Sequence, residues 1–306
     1  MSSNKKITSA AVICILASIC CALWGSAFPF VKIGYRLLGI SSQSTSSQIL
    51  FGGLRFTLAG ILTILFGSLI SKKVLLPSRE SIKNILILSL VQTVLQYVFF
   101  YIGLSNTSGI KASIIEGMNV FASLLVAGMV YHMEKLTKRK LIGCIIGFVG
   151  VILVNVNGDG IDVNFKLTGE GFIILSVIAY AFSSVMLKLY SKKENAISLS
   201  GYQFVVGGLC MVLLGFSMGG KVENYSSESI AILIYLACVS AIAYALWAIL
   251  LKHNPVSKVA VYGFMTPVFG VILSALLLGE QKYLGYKCFL ALVLVCAGIY
   301  IVNKEK

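Results

Sequence analysis

Three ionisable side chains stand inside long apolar runs. Glu116 lies in Ala112-Ser-Ile-Ile-Glu-Gly-Met-Asn-Val-Phe121, Arg55 in Gly52-Gly-Leu-Arg-Phe-Thr-Leu58, and Lys32 closes Trp24-Gly-Ser-Ala-Phe-Pro-Phe-Val-Lys32. A charge at the centre of a membrane helix costs about 2.5–3.5 kcal/mol on insertion scales, so such a group faces a cavity or a partner. Glu116 suits a substrate ammonium, or a carboxylate that couples transport to protons. The planar fork of Arg55 suits a substrate carboxylate. The structural alternative is a fixed ion pair of Glu116 with Arg55 or Lys32. Asn119 brings an amide roughly one turn from Glu116, on nearly the same helix face. Trp24 and Tyr101 are the aromatic candidates for a cavity wall, with Tyr97 and Tyr244 behind them. Pro29 and Pro267 each remove a backbone donor and are candidate kinks or hinges. Lys32 and Lys188 are expected to snorkel toward the two membrane faces.

No other chemistry is legible. The eight cysteines lie within apolar runs without metal-ligand spacing to histidine, so they read as small packing residues. His132 and His253 are far apart with no neighbouring acid pattern, and no Walker-type glycine loop occurs. No catalytic residue, metal or cofactor is expected.

Helices must position these groups. The chain has 306 residues, 58% hydrophobic and 12% charged, with a mean hydropathy of +0.94. Soluble chains average about 45–50% apolar and about 25% charged. Apolar runs long enough to span a bilayer fall near residues 8–31, 47–70, 82–104, 110–131, 138–155, 170–190, 200–218, 229–250, 256–278 and 284–303. They are continuous and not alternating, which excludes a β-barrel. Backbone groups in lipid must be satisfied within the segment, so each run reads as a helix. The start of the chain has a signal-like charged and apolar pattern, yet no small-residue cleavage site follows, and it reads as a retained first helix.

The net charge of +14 is not a nucleic-acid footprint. Its lysines and arginines crowd alternate connections, with Lys72, Lys73 and Arg79 in one, Lys135 to Lys140 in the next, and Lys192 and Lys193 in a third. The positive-inside rule places those loops, and both termini, in the cytoplasm.

The chain also contains itself twice. Met118–Asn155 returns at Thr266–Asn303 without gaps, Gln48-Ile-Leu-Phe-Gly-Gly-Leu54 returns as Gln203-Phe-Val-Val-Gly-Gly-Leu209, and Trp24–Lys32 returns as Tyr180–Lys188. The expected fold is an all-α integral membrane protein of ten transmembrane helices in two five-helix repeats. Residues 1–156 form the first repeat, 157–167 the inter-repeat loop and 168–306 the second. An odd helix count inverts consecutive copies, which is the architecture of alternating access. The glycine pairs Gly52-Gly53 and Gly207-Gly208, and Gly143 with Gly147, are expected to mark close helix contacts.

Trp24-Gly-Ser-Ala-Phe-Pro-Phe-Val-Lys32 resembles the first-helix signature of EamA-type carriers in the drug/metabolite transporter superfamily. Met133-Glu134-Lys135-Leu136 and Leu278-Gly279-Glu280 resemble that family's Leu-Gly-Glu turn, and Thr266-Pro-Val-Phe269, Gly150 and Gly298 are similar as well. Two departures stand out. Asn119 replaces the proline found at Pro267, so no proline kink is expected in the fourth helix. The two glutamate turns fall two residues out of register. The resemblance implies a carrier of metabolites or toxic cations, with export as the favoured direction. The leading expectation is a secondary transporter of an amino acid or related zwitterion in the cytoplasmic membrane. The alternatives are proton-coupled efflux of lipophilic cations and, from another class, a membrane-embedded enzyme or structural membrane protein. The expected partners are a small-molecule substrate and the lipid bilayer; a monomer and a homodimer both fit.

Overall fold

The computed structural model of the chain describes residues 9–133, 135–154, 156–157, 160–161, 165–280 and 285–303. Helix α1 spans Ala10–Leu37, with the Ser9 hydroxyl accepting the Val12 N–H as its N-cap. Helix α2 is Thr45–Ser71. Helix α3 is Ser81–Asn106, with π-helical winding over Ser89–Leu95. Helix α4 is Gly109–Val130 and α5 is Lys138–Val154. Helix α6 is Leu167–Tyr190, opening on a π turn at Leu167–Gly171, and α7 is Ala196–Ser217. Helix α8, Ser227–His253, starts in a reciprocal capping box between Ser226 and Ser229. Helix α9 covers residues 256–278 in three pieces, and α10 is Tyr286–Asn303.

Among the described residues, α1 to α4 and α6 to α8 are each long and apolar enough to cross a membrane. The apolar helices at Tyr262–Leu278 and Tyr286–Gly298 are shorter. The linker expected as plain loop contains a minimal antiparallel ladder, Val156 opposite Ile161 and Asn157 opposite Gly160.

Burial runs opposite to that of a water-soluble protein. Ile70 is 80% exposed, Phe216 72% and Phe289 71%, while Gln48, Arg55, Gln92 and Gln203 are at most 2% exposed. An apolar exterior of this extent is stable against lipid, and the polar side chains collect where helices face one another. The chain is a multi-pass membrane protein.

Packing in lipid relies on close backbone approach. Helix α2 lies against α7, and α5 against α10. A Cβ added at Gly53 would stand 2.5 Å from the Val212 nitrogen, and one added at Gly208 would stand 2.4 Å from the Thr57 nitrogen. The remaining contacts come in exchanged pairs: α1 meets α9 as α6 meets α4, α1 meets α8 as α6 meets α3, and α2 meets α8 as α7 meets α3. Helices α1, α3, α4, α6, α8 and α9 thereby surround a central space.

Candidate substrate cavity

That space is a partly open cavity lined from α1, α2, α3, α4, α6, α8 and α9. Arg55 from α2 reaches it although the residue is only 2% exposed. Its guanidinium is held from three sides: Nε donates to the Leu236 carbonyl at 3.1 Å, Nη1 to Tyr101 Oη at 3.0 Å and Nη2 to Ser240 Oγ at 2.9 Å. All three acceptors are neutral. Its carbon centre also stands 5.1 Å from the Phe56 ring centroid.

Glu116 enters from α4. Its carboxylate accepts from Asn119 Nδ2 at 2.5 Å and from Ser176 Oγ at 3.4 Å. Helix α4 is interrupted between these residues, Gly109–Glu116 ending and Asn119–Leu125 starting across a turn at Gly117 and Met118. No proline stands in this helix, and its winding tightens at Gly117 and Met118 while both keep right-handed helical backbone. The Gly117 N–H bonds back to the Ser113 and Ile114 carbonyls, and the Met118 N–H to Ile115, so the winding tightens at this turn. In the second half, α9 passes through a 3₁₀ turn at Val261–Phe264 before Met265–Leu278 begins. Pro267 stands third in that last piece, where a proline is tolerated. Helix α1 runs through the buried Pro29 without interruption.

Neither fixed ion pair considered for Glu116 is present. Among the described residues the ion pairs are Lys32 with Glu280 at 3.4 Å and Lys111 with Glu170 at 3.5 Å. Lys32 thus reaches toward the α3–α4 end of the bundle and ends on protein partners there. Its Nζ also donates to the Thr107 carbonyl at 2.7 Å. Glu280 accepts from the Gly109 and Ile110 N–H groups at 3.1 and 3.2 Å, so a carboxylate sits on the N-terminus of α4. Lys188, its counterpart, donates to the Leu251 and Asn254 carbonyls at 2.9 and 2.5 Å, which ties α6 to the start of the α8–α9 connection. Glu134 lies outside the described residues.

Aromatic rings form the remaining wall. Trp24 packs edge-on against Tyr244 at 5.2 Å and Trp247 at 4.9 Å. Tyr97 Oη lies 2.5 Å from Tyr244 Oη, and Tyr97, Phe100 and Tyr180 also line the space. Tyr101 is placed differently: fully buried and away from the lining, it stands behind Arg55 as a hydrogen-bond partner. Sequence reasoning passed over Gln96, Ser123, Ser184 and Thr266, all in the lining. Gln92 and Gln96 are one turn apart in an otherwise apolar run, a signal that could have pointed to α3. The lining reaches Leu251 and Val256, beside the α8–α9 connection, but does not include Lys32, Thr107 or Glu280.

A family model described as the EamA-like transporter family matches residues 11–156 and again residues 167–304. The chain is similar to an uncharacterized transporter of Archaeoglobus fulgidus, 25% identical over 299 residues that cover 95% of this chain and 97% of that one. It is also similar to the uncharacterized transporter YvbV of Bacillus subtilis, 23% identical over 95% of this chain and 91% of that one. A solved crystal structure shares the fold with a TM-score of 0.69 at 16% identity, covering 96% of this chain and 97% of the other.

Proposed function

The chain belongs to the EamA-like transporter family, and from that membership we propose that it is a secondary carrier of a small zwitterion, an amino acid or a related metabolite, working by alternating access. It is a membrane transporter and not an enzyme. In this reading ten helices form two inverted five-helix repeats with both termini in the cytoplasm, and the protein resides in the cytoplasmic membrane. The family resemblance favours export.

One observation carries the substrate class. Arg55 and Glu116 line the same cavity, with opposite charges, and each is bonded to neutral groups and not to the other. A buried charge without a counter-charge is held at a cost that a ligand of opposite sign relieves. A zwitterion relieves both at once, its carboxylate at Arg55 and its ammonium at Glu116. In this reading the basic loops put the α8–α9 end of the bundle in the cytoplasm, and the contacts of Lys32 and Glu280 lie at the outward end.

The wall of Trp24, Tyr244 and Trp247 favours a second reading, efflux of lipophilic cations held by ring faces with Glu116 as the proton site. The buried positive charge of Arg55 opposes it. Counterflow in proteoliposomes with amino acids, nucleosides and quaternary amines separates the two. Exchange of amino acids is expected. Flux of quaternary amines alone would transfer the assignment to efflux, and no flux with any solute would remove both readings.

A further inference from the structure

Among the described residues, three cavity-lining side chains carry a buried polar atom without a hydrogen-bond partner: Trp24 Nε1, Gln96 Oε1 and Asn119 Oδ1. Buried polar atoms in native proteins are almost always paired, so a group of orphans on residues that line one space points to what that space receives. Asn119 is accounted for by the zwitterion reading. Its Nδ2 is committed to Glu116, and its Oδ1 adds an acceptor beside that carboxylate for the several N–H donors of an ammonium.

Gln96 and Trp24 are not accounted for. Gln96 is 4% exposed, and its Nε2 donates to Tyr244 Oη at 3.4 Å. That hydroxyl is bonded to Tyr97, whose ring packs 4.0 Å from the Phe56 ring, so the amide rests on an ordered support. Trp24 packs its ring edge-on against the same Tyr244. An acceptor on α3 and a donor on α1 thus adjoin one tyrosine. A hydroxyl or carboxamide offers both a donor and an acceptor, and an aliphatic or purely aromatic side chain offers neither.

Resting on the zwitterion reading, we infer that the substrate's side chain is a hydroxyl or carboxamide, giving a proton to Gln96 Oε1 and accepting from Trp24 Nε1. A site built to hydrogen-bond a substrate group discriminates strongly against the isostere that lacks it, because its own polar atoms are left unpaired.

Threonine and valine have nearly the same shape and differ in that group. In proteoliposomes containing the full chain, threonine is expected to exceed valine in kcat/KM by about tenfold or more. Gln96→Met is expected to bring the ratio close to unity, mainly through loss on threonine, and Trp24→Phe to lower it in the same direction. Asparagine against leucine repeats the comparison for the carboxamide. The wild-type ratios decide the matter even where a variant fails to assemble. Equal transport of threonine and valine, together with equal transport of asparagine and leucine, overturns the inference and leaves the zwitterion reading standing, as does a threonine preference that survives Gln96→Met unchanged. No transport of any of the four overturns both.

Discussion

Arg55 is a buried cation whose three recorded donors all end on neutral oxygens, so its charge is positioned but not compensated within the described residues. Hydrogen bonds to a charged group are each worth about 1.5–3 kcal/mol. Arg55→Gln is therefore expected to lower counterflow of an amino acid by about 10- to 100-fold, and to affect the matching amine without a carboxylate much less. Arg55→Lys is expected not to restore transport, since one ammonium cannot bond Leu236, Tyr101 and Ser240 and still present a planar fork. Glu116→Gln carries the opposite signature: amino-acid flux falls by about tenfold or more, while the deaminated acid competes as well as before. Competition counterflow with the amine and the deaminated acid tests both, and an identical response to the two substitutions would sink the assignment of ends. Glu116, Arg55 and Asn119 were readable as lining residues because a charge, or a polar group beside one, stands out in an apolar run, and Trp24 because it is a large amphipathic ring. Gln96 did not stand out, as a neutral amide among Gln48, Gln92 and Gln203, and its place in the cavity lining is what sets it apart. Tyr101 was misplaced because α3 is buried on several faces, and spacing alone does not say which one meets the cavity.

Helix α2 approaches α7 through Gly53 and Gly208, where an added Cβ would meet backbone atoms at 2.5 and 2.4 Å. Backbone cannot swing aside as a side chain can. Gly208→Leu is thus expected to destabilise the fold by about 1–3 kcal/mol or more, seen as earlier thermal unfolding of the purified protein in detergent. Gly285→Ala is the control, since its Cβ would meet nothing within 4 Å. Unchanged unfolding of Gly208→Leu would mean that α2 and α7 are not in backbone contact. The glycine pairs were readable because both copies carry them at equivalent places. Helix ends were readable to within a few residues, except that α1 continues to Leu37 where the apolar run was taken to stop at residue 31. The tightened turn within α4 was not readable from proline. Gly117 permits the turn, but what occupies it is the Asn119–Glu116 bond, a local polar contact that competes with regular winding.

At the scale of the whole molecule, equivalent lysines tie helices together at the two ends of the bundle. Lys32 holds the carbonyl of Thr107 just before α4, and Lys188 holds that of Asn254 just before α9. At the first end Glu280 also pairs with Lys32 and accepts both leading N–H groups of α4, and Glu170 accepts from the Thr107 hydroxyl at 2.8 Å and pairs with Lys111. These contacts join α1, α4, α6 and the segment after α9, which are parts of both halves, so opening this end requires them to separate. Sequence comparison matched Lys32 with Lys188 but gave no partner for either, because the pairing depends on how the halves meet. In the proposed alternating-access cycle, the contacts of Glu280 hold this end closed. Glu280→Gln keeps the shape and removes the charge from both the ion pair and the helix terminus, so the form open at the α3–α4 end is expected to gain population. Hydrogen exchange on the reconstituted carrier reads this at the Gly109 and Ile110 amides, which should exchange faster, while amides around Ser226 and Ser229 at the start of α8 serve as the internal reference. Lys32→Gln should act in the same direction. Unchanged exchange at Gly109 and Ile110 in both variants would show that the pair decorates the closed end without holding it.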